Sequence, residues 1–276
     1  MKIHRAEIRY VIKVHPQAYR IGLEARGISK GAKPGQFYMV RTSGGLDPLL
    51  PRPFALHRRH LHGVEEELVG DGLEIFVQVV GRGTRFLSRK PSGEMIDVIG
   101  PLGRGWRLKR QDSPVLVAGG IGVATFVALA EDMPEAQRRR TTVFLGAQSP
   151  DELWCVEDLE RCGLEVYTAA ERGRHVFKGT AFDLLTANRE AVRHKSCSLL
   201  VCGPPPMLKR VAAWAMEEGL PCQVSLEAPM ACGVGVCLGC AVKASQSSSY
   251  LRVCREGPVM DAGEIDWTAW DASLGA

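Results

Sequence analysis

Four cysteines in the last fifth of the sequence are the residues best suited to chemistry: Cys232, Cys237, Cys240 and Cys254. The first three follow the spacing C-x4-C-x2-C, and the fourth comes after a further thirteen residues. Four thiolates at this spacing are typical of a plant-type [2Fe–2S] cluster. Gly233, Gly235 and Gly239 lie between the first three, and glycines with φ > 0 can aim backbone N–H groups at the sulfurs. The spacing therefore predicts an iron–sulfur centre.

Two other interpretations of these cysteines agree less well with the sequence. Structural zinc sites usually combine two separated C-x2-C pairs, whereas three of these cysteines fall within nine residues. Disulfide frameworks are typical of small secreted chains, and this chain is large and shows no signal peptide. The other five cysteines are expected to be free thiols in a reducing cytoplasm: Cys155, Cys162, Cys197, Cys202 and Cys222.

The composition indicates a globular chain of about two domains. Of its 276 residues, 45% are hydrophobic and 24% are charged, and the net charge is +4. Because no long run of lysine or arginine occurs, the charge gives no support for nucleic-acid binding. The N-terminus has no apolar stretch of the signal-peptide kind, and the most apolar segment, 115–130, is short for a membrane span. We therefore expect a cytoplasmic protein without membrane insertion.

Short strand-like segments separated by glycine and proline turns occupy residues 6–100, a pattern typical of a small antiparallel barrel. Arg52, which precedes Pro53, offers a planar fork suited to a pyrophosphate or a flavin oxygen, although most such arginines are loop residues. The turn GRGT at 81–84 offers amides and a hydroxyl to a phosphate at the start of a helix over 85–88, although such turns are common.

Two polar groups in this region are expected to have no chemical role. Three histidines are predicted to be solvated or to face a partner rather than to bind a metal: His57, His60 and His62. The acidic run at 65–67 is predicted to be an exposed turn.

After a polar connector over 107–113, strands and helices alternate, which predicts a parallel sheet with helices on both faces. One helix is expected over 149–161, with Ser149 as its cap. Ligands of such sheets bind beyond the carboxyl ends of the strands, where GGIG at 119–122 and CGPPPM at 202–207 fall. The first turn suits either a dinucleotide pyrophosphate or tight packing of strand on helix. Cys202 is either a small buried residue or a neighbour of a nicotinamide ring.

The order of seven motifs resembles that of the ferredoxin reductase-like flavoproteins and, more narrowly, of the electron-transfer subunits of class 1B dihydroorotate dehydrogenases. The motifs are RPFA at 52–55, GRGT at 81–84, GPLGRG at 100–105, GGIGVA at 119–124, CGPPPM at 202–207, SLEAPMACGVGVCLGC at 225–240 and VCREGPVM at 253–260. The resemblance covers nearly the whole chain and is most specific over 225–260. It implies a multidomain α+β fold. An antiparallel six-stranded β-barrel for FAD would occupy 1–106, an α/β parallel-sheet domain for NAD 107–222, and a small [2Fe–2S] domain 223–276.

The resemblance also assigns residues to each cofactor. The residues implied for FAD are Arg52, Pro53, Phe54, Ala55, Phe76, Val77, Gln78, Gly83 and Thr84. Those implied for NAD are Gly119, Gly120, Gly122, Gly203, Pro204 and Met207, with Cys202 near the nicotinamide, and the four C-terminal cysteines would bind the metal. Ala55 stands where the family often has serine, and Gln78 where it often has arginine. The segment 146–149 contains no arginine for a 2′-phosphate, and Asp151 or Glu152 would repel one, which favours NAD over NADP.

Nicotinamide transfers two electrons as hydride, an iron–sulfur cluster accepts one at a time, and a flavin does both. The resemblance therefore implies an electron-transfer subunit that passes electrons from an FMN-containing dihydroorotate dehydrogenase catalytic subunit, through [2Fe–2S] and FAD, to NAD⁺, in a heterotetramer of two copies of each. One alternative is the small subunit of an NADH-dependent ferredoxin:NADP oxidoreductase or sulfide dehydrogenase, which tends to have an aspartate among the cluster ligands. Another is a non-enzymatic iron–sulfur or zinc module that has lost its flavin.

Overall fold

The structure, a computed structural model, describes residues 2–62, 67–68, 71–174, 176–192 and 196–274. The acidic run predicted as an exposed turn at 65–67 falls mostly outside these ranges. Within them, no helix is both long enough and apolar enough to cross a membrane.

Six antiparallel strands of the N-terminal region close into a barrel in the order β1-β2-β7-β4-β3-β8, so the predicted six-stranded barrel is confirmed. The elements of this region are β1 (Lys2–His15), β2 (Ala18–Glu24), β3 (Phe37–Val40), β4 (Arg52–Arg58), β5 (Leu61–His62), β6 (Glu67–Leu68), β7 (Gly72–Gln78), α1 (Arg82–Leu87) and β8 (Met95–Leu102). Strands β5 and β6 pair with each other outside the barrel. Helix α1 begins three residues before the predicted start at 85.

The barrel has a core because its strands alternate between inward apolar and outward polar residues. Along β8, every second residue is buried, as expected for a strand with one face against a core. Tyr38 lies across this strand, and a Cβ at Gly100 would come within 2.1 Å of the tyrosine ring. Only glycine fits there, and its lack of a side chain leaves room for the ring, whose hydroxyl donates to the Ile28 carbonyl at 2.9 Å.

The second sheet has the order β12-β11-β10-β9-β13-β14-β17, where β17 (Val259–Asp261) comes from the C-terminal segment, and all neighbours except β14 and β17 are parallel. Its first six strands are β9 (Ser113–Gly119), β10 (Thr142–Ala147), β11 (Glu165–Ala170), β12 (Phe177–Lys178), β13 (Cys197–Cys202) and β14 (Cys222–Ser225). The helices between them are α2 (Ala124–Asp132), α3 (Glu135–Arg138), α4 (Val156–Arg161), α5 (Ala181–Ala187), α6 (Arg189–Val192) and α7 (Pro205–Glu217). The predicted parallel sheet is therefore confirmed.

One predicted helix of this region is divided. A 3-10 turn covers Pro150–Glu152, and α4 begins only at Val156. Between them, Cys155 adopts a left-handed conformation with φ 61°, which a continuous helix does not allow. Ser149 makes no side-chain hydrogen bond as a cap, so the prediction of one helix over 149–161 is wrong.

The C-terminal segment is attached to both larger units. It contains β15 (Ala241–Lys243), β16 (Tyr250–Arg252), β17 (Val259–Asp261) and α8 (Trp267–Leu274). Strand β17 extends the parallel sheet by pairing antiparallel with β14. On the other side, the Cα of Gly233 comes so close to the barrel that a Cβ there would lie 2.5 Å from Met39. The predicted domain limits at 106/107 and 222/223 stay predictions, and β14 runs across the second one.

Candidate redox site

The four C-terminal cysteines converge on one place. Cys232, Cys237 and Cys240 lie on the loop that precedes β15, and Cys254 lies on the turn that follows β16. The side chains of Cys232 and Cys237 hydrogen-bond each other, and so do those of Cys240 and Cys254. Cys240 and Cys254 are only 3% and 2% exposed, whereas Cys237 is exposed to solvent. The set therefore has a buried side and an open side.

Backbone N–H groups of the loop surround the sulfur of Cys232. The N–H of Val234 donates to Cys232 Sγ at 3.4 Å, and the N–H groups of Val236 and Cys237 hydrogen-bond it as well. Desolvation alone would raise the pKa of Cys232, but these donors outweigh it and lower the pKa to about 6. The loop thus stabilises a thiolate, which is the form that binds metal.

Two of the three loop glycines behave as predicted. Gly233 and Gly235 have φ of 69° and 83°, the left-handed conformation that aims successive amides inward. The third left-handed residue is Leu238 with φ 59°, and Gly239 is not in that region, so the prediction for Gly239 is wrong. A leucine in this conformation costs about 1–2 kcal/mol, and its side chain is 61% exposed.

The donor set fits a [2Fe–2S] cluster. Burial, together with the adjacent Cys240 sulfur, raises the pKa of Cys254 to about 12, because two thiolates cannot lie side by side in a dry site. A bound metal centre replaces the protons and removes this repulsion. Four convergent sulfurs with inward amides match the chemistry of an iron–sulfur site.

A second candidate region lies at the start of β4. The space that a side chain at Gly83 would fill borders Thr42 Oγ1 at 3.2 Å and Arg52 Nε at 3.3 Å. The hydroxyl of Thr42 is buried and has no hydrogen-bond partner within the described part of the chain. An unpaired hydroxyl and a guanidinium that converge over a glycine suit a phosphate group, so this cradle fits the pyrophosphate of FAD. No sequence motif pointed to Thr42.

Several residues implied for FAD direct their side chains elsewhere. Phe54 and Val77 belong to the apolar core of the barrel. Phe76 lies between the barrel and the second sheet, where its ring is 5.8 Å from that of Trp154. Any contact of these three with a flavin would therefore involve the backbone or a ring edge.

The other implied FAD residues lie in different surroundings. The Thr84 hydroxyl accepts from the N–H groups of Val80 and Gly81 at 3.1 and 3.2 Å, so it stabilises the turn rather than remaining free for a phosphate. Ala55 is exposed and Pro53 is partly exposed. Gln78 lines the large groove between the barrel and the second sheet.

A groove of 690 Å³ runs along the carboxyl ends of the parallel strands, where the sequence predicted a ligand. All six residues implied for NAD line it: Gly119, Gly120, Gly122, Gly203, Pro204 and Met207. Gln17 and Gln78 of the barrel form part of its wall. Residues of both the parallel sheet and the barrel therefore line the groove.

The glycines of the first turn have different roles. Gly120 has φ 52°, and a Cβ placed on it has no neighbour within 4 Å, so it presents bare backbone to the groove. A Cβ at Gly122 would lie 2.4 Å from the Cys202 carbonyl oxygen, which means that Gly122 permits tight packing of strand on turn. The motif therefore agrees with both interpretations: Gly120 leaves backbone open to a dinucleotide, and Gly122 allows tight packing of the strand on the turn.

Cys202 is buried at the end of β13 and is 6% exposed. Burial, and secondarily the charge of Glu227, raises the pKa of its thiol to about 12, although a hydrogen bond with Ser225 opposes the shift. Such a thiol is inert. It is absent from the groove lining, where Gly203 follows it, and its contact with a nicotinamide stays a prediction.

No sequence motif pointed to two residues of the groove region, Glu227 and Arg172. Glu227 is exposed to the groove and has no hydrogen-bond or ion-pair partner among the described residues, and desolvation by the atoms around it raises the pKa of its carboxyl. Arg172 Nη2 donates to Gln148 Oε1 at 3.2 Å, so the structure brings an arginine to the segment that lacked one in sequence. Glu152 and Glu171 also line this groove and add negative charge that opposes a 2′-phosphate.

The histidine prediction is wrong for His57 and holds for His60, which is exposed. His57 is 0% exposed, and its ring reaches from β4 to the Ala124 carbonyl oxygen of α2. Possible ligand atoms of His57, Cys155 and Asp158 lie within 4.8 Å of one another. However, Arg58 Nη2 is 2.7 Å from Asp158 Oδ1, so a cation already occupies this cluster.

Comparisons with known proteins agree with this geometry. The family described as "Iron-sulfur cluster binding domain of dihydroorotate dehydrogenase B" matches residues 227–266, and "Oxidoreductase NAD-binding domain" matches 116–213. A Desulforamulus reducens protein named "Dihydroorotate dehydrogenase B (NAD(+)), electron transfer subunit" is 37% identical over 270 residues, with 96% of this chain and 99% of the relative covered. A Fusobacterium nucleatum protein of the same name is 32% identical over 273 residues, with the same coverage.

Solved structures share the fold. The structure of an NADH-dependent reduced ferredoxin-NADP oxidoreductase has a TM-score of 0.82 at 26% identity, over 99% of this chain and 94% of that one. A ferredoxin NADP⁺ reductase from Neisseria gonorrhoeae with bound FAD and NADP has a TM-score of 0.64 at 18% identity, over 79% of this chain and 92% of that one. The second likeness concerns the fold alone.

Proposed function

This chain belongs to the family of the electron transfer subunits of dihydroorotate dehydrogenase B, and we propose that it carries electrons from an FMN-containing catalytic subunit, through [2Fe–2S] and FAD, to NAD⁺. The carbon chemistry of pyrimidine biosynthesis would then take place on the partner, in an assembly of two copies of each subunit. The convergence of four cysteines on a half-open loop beside the barrel carries the proposal. We place the chain in the cytoplasm, whose reducing conditions suit its five other thiols.

The residues of the chain would divide the binding work among three places. Arg52 and Thr42 hold a phosphate of FAD beside Gly83, and Gly120 presents open backbone to the NAD pyrophosphate. Bound FAD supplies the exchange between hydride and single electrons. Met207 covers Gly119 and Gly203, since Cβ atoms there would lie 2.9 and 2.7 Å from its side chain, and it thereby gives the groove an apolar floor. An apolar floor excludes water from the place where hydride moves.

The catalytic subunit would dock on the open side of the cysteine loop. Val236 and Leu238, on either side of Cys237, are 80% and 61% exposed. Exposed apolar side chains grouped on one loop are typical of a protein interface. The matched variants Leu238→Asn and Ile3→Asn test this assignment, because asparagine tolerates the left-handed conformation and Ile3, 75% exposed, lies at the start of the barrel. We expect Leu238→Asn to weaken the complex about 10-fold or more and Ile3→Asn to leave it unchanged, as measured by calorimetric titration. Equal affinities would contradict the docking assignment.

A second candidate is the small subunit of an NADH-dependent ferredoxin:NADP oxidoreductase. The fold likeness at a TM-score of 0.82 favours it. The four convergent cysteines favour the first function, because that candidate is expected to have an aspartate among its ligands.

Co-expression with an FMN-containing dihydroorotate dehydrogenase subunit separates the two candidates. The first predicts a stable complex that reduces NAD⁺ with dihydroorotate and shows flavin and iron–sulfur absorption bands. The activity assay is interpreted only after a stable complex of the two subunits has been isolated. If the purified chain carries flavin and cluster but forms no complex with that subunit, the second candidate takes precedence. If it binds no flavin, both are wrong.

A further inference from the structure

Strand β4 and helix α2 connect the two cofactor regions. β4 begins at Arg52, in the cradle proposed for FAD, and ends at Arg58. α2 begins directly after the turn Gly120–Val123 of the NAD groove and ends at Asp132. A contact between this strand and this helix therefore sets how the two regions face each other.

Near the start of α2, His57 bonds the helix to the barrel. Its Nδ1 donates to the Ala124 carbonyl oxygen at 2.8 Å, since a carbonyl only accepts, and His57 is fully buried. This bond lies one residue beyond the turn that faces the groove. It fixes the end of the helix that is closest to the dinucleotide.

At the other end of α2, Arg58 makes three interactions while being only 4% exposed. Its Nε lies 3.0 Å from Glu131 of α2, and its Nη2 lies 2.7 Å from Asp158 of α4. Its Nη1 lies 3.6 Å from the buried carboxylate of Glu74 in the barrel. One guanidinium thus joins the barrel to two helices of the sheet.

In the barrel, further hydrogen bonds hold the Glu74 carboxylate that Arg58 approaches. Glu74, which is 0% exposed, accepts from Arg20 Nη2 at 2.8 Å and from the Tyr10 hydroxyl at 2.8 Å. Arg59 also pairs with Asp132 at the end of α2. With bonds at both ends, α2 can neither slide along β4 nor rotate about a single contact.

We propose that Arg58 is a positioning residue for hydride transfer, which together with His57 holds the sheet on the barrel at the angle that sets the distance from nicotinamide to flavin. This inference rests on the proposed function. Hydride transfer needs reacting atoms about 3–3.5 Å apart, and a displacement of about 1 Å can cost roughly 100-fold in rate. A buried, multiply bonded guanidinium supplies this precision because its planar fork fixes direction as well as distance.

The test is Arg58→Met, which keeps an unbranched apolar stem and removes the guanidinium with its charge. Stopped-flow reduction of the bound flavin by NADH gives the rate of hydride transfer and, from its concentration dependence, the Kd of NADH. We expect the rate to fall about 10- to 100-fold while Kd stays within twofold. The primary isotope effect with 4-deuterated NADH should also become more dependent on temperature. The matched control is Arg5→Met, because Arg5 pairs with Asp97 of the same barrel and is 62% exposed.

A second readout does not depend on the cofactors. Scanning calorimetry of the cofactor-free chain should show one transition for the wild type and for Arg5→Met, and two for Arg58→Met, because barrel and sheet then unfold separately. An unchanged hydride rate with one transition would overturn the proposal. A larger Kd that accounts for the whole loss of activity would also overturn it.

Two further outcomes remain decisive. If Arg58→Met does not fold, Glu131→Gln replaces it, since this variant keeps the size of the partner and removes one charge. A slower rate at constant Kd then supports the proposal, and an unchanged rate overturns it. If NADH reduces no bound flavin in the wild type, the proposed function fails, and the calorimetric comparison still decides whether Arg58 joins the two units.

Discussion

Replacement of His57 by asparagine should remove a large part of the acid sensitivity of this fold. Burial lowers the pKa of His57 from its ordinary value of 6.5 to about 4. The carboxylate of Glu74 attracts a proton to the ring, but Arg58 and Arg20 oppose it. At 1.36 kcal/mol per pKa unit, this difference corresponds to about 3 kcal/mol of unfolding free energy.

The sign follows from which state binds the proton. Between pH 6.5 and about 4, the unfolded chain protonates His57 and the folded chain does not, so stability falls as the pH falls. The contribution is complete above pH 6.5 and is gone below about pH 4. Asparagine does not titrate, and its side-chain N–H can replace Nδ1 as donor to Ala124.

Urea unfolding of the cofactor-free chain, followed by tryptophan fluorescence at pH 7, 6, 5 and 4, measures this effect. The wild type should lose about 3 kcal/mol more than His57→Asn over this range, whereas His60→Asn, at an exposed position, should behave as the wild type. The charged neighbours Arg58 and Arg20 are kept in all three proteins, so the difference between the profiles reports the replaced histidine. Parallel pH profiles of wild type and His57→Asn would refute the reasoning and would mean that His57 is protonated and paired with Glu74, 3.4 Å away.

Two further predictions concern the groove. Gly122→Ala should destabilise the fold by about 1–3 kcal/mol, because the new Cβ meets backbone that cannot move, whereas Gly120→Ala should cost only about 1–2 kcal/mol for its left-handed conformation. Of the two, only Gly120→Ala should raise the Kd of NADH directly, and thermal unfolding with NADH titration distinguishes the effects; an unchanged Kd in Gly120→Ala would contradict this. Desolvation raises the pKa of Glu227, so its contribution to stability is present below the ordinary carboxyl pKa and is lost as the pH rises through the raised value. Glu227→Gln should remove that loss in urea unfolding between pH 4 and 8, and an unchanged profile would show that the carboxylate is solvated.

The sequence was sufficient for features that depend on local order along the chain. The strand-and-turn pattern of the first hundred residues predicted the barrel, and the alternation of strands and helices predicted the parallel sheet. The ligand edge followed as well, because parallel strands end together and their turns must meet. The spacing of the cysteines identified the candidate cluster loop for the same reason, since one short loop has to surround one small centre.

Roles that depend on the orientation of a side chain were harder to predict from the sequence. Thr84 was expected to offer its hydroxyl to a phosphate, yet this hydroxyl caps its own turn, and Thr42 presents the unpaired hydroxyl instead. The loop was expected to turn at Gly239, and it turns at Leu238. Both alternatives satisfy the same local pattern, and packing against the rest of the molecule selects between them.

By itself, the sequence determined the two sheets, the candidate cysteine loop and the edge at which a dinucleotide is expected. Only the tertiary structure brought Arg172 to Gln148, Thr42 to Arg52, and Arg58 to Glu131 and Asp158. The physical reason is the range of the interactions involved. Periodicity and turn chemistry act over a few residues and leave a trace in the sequence. A buried ion pair between distant segments leaves none, because its geometry exists only after both segments have packed.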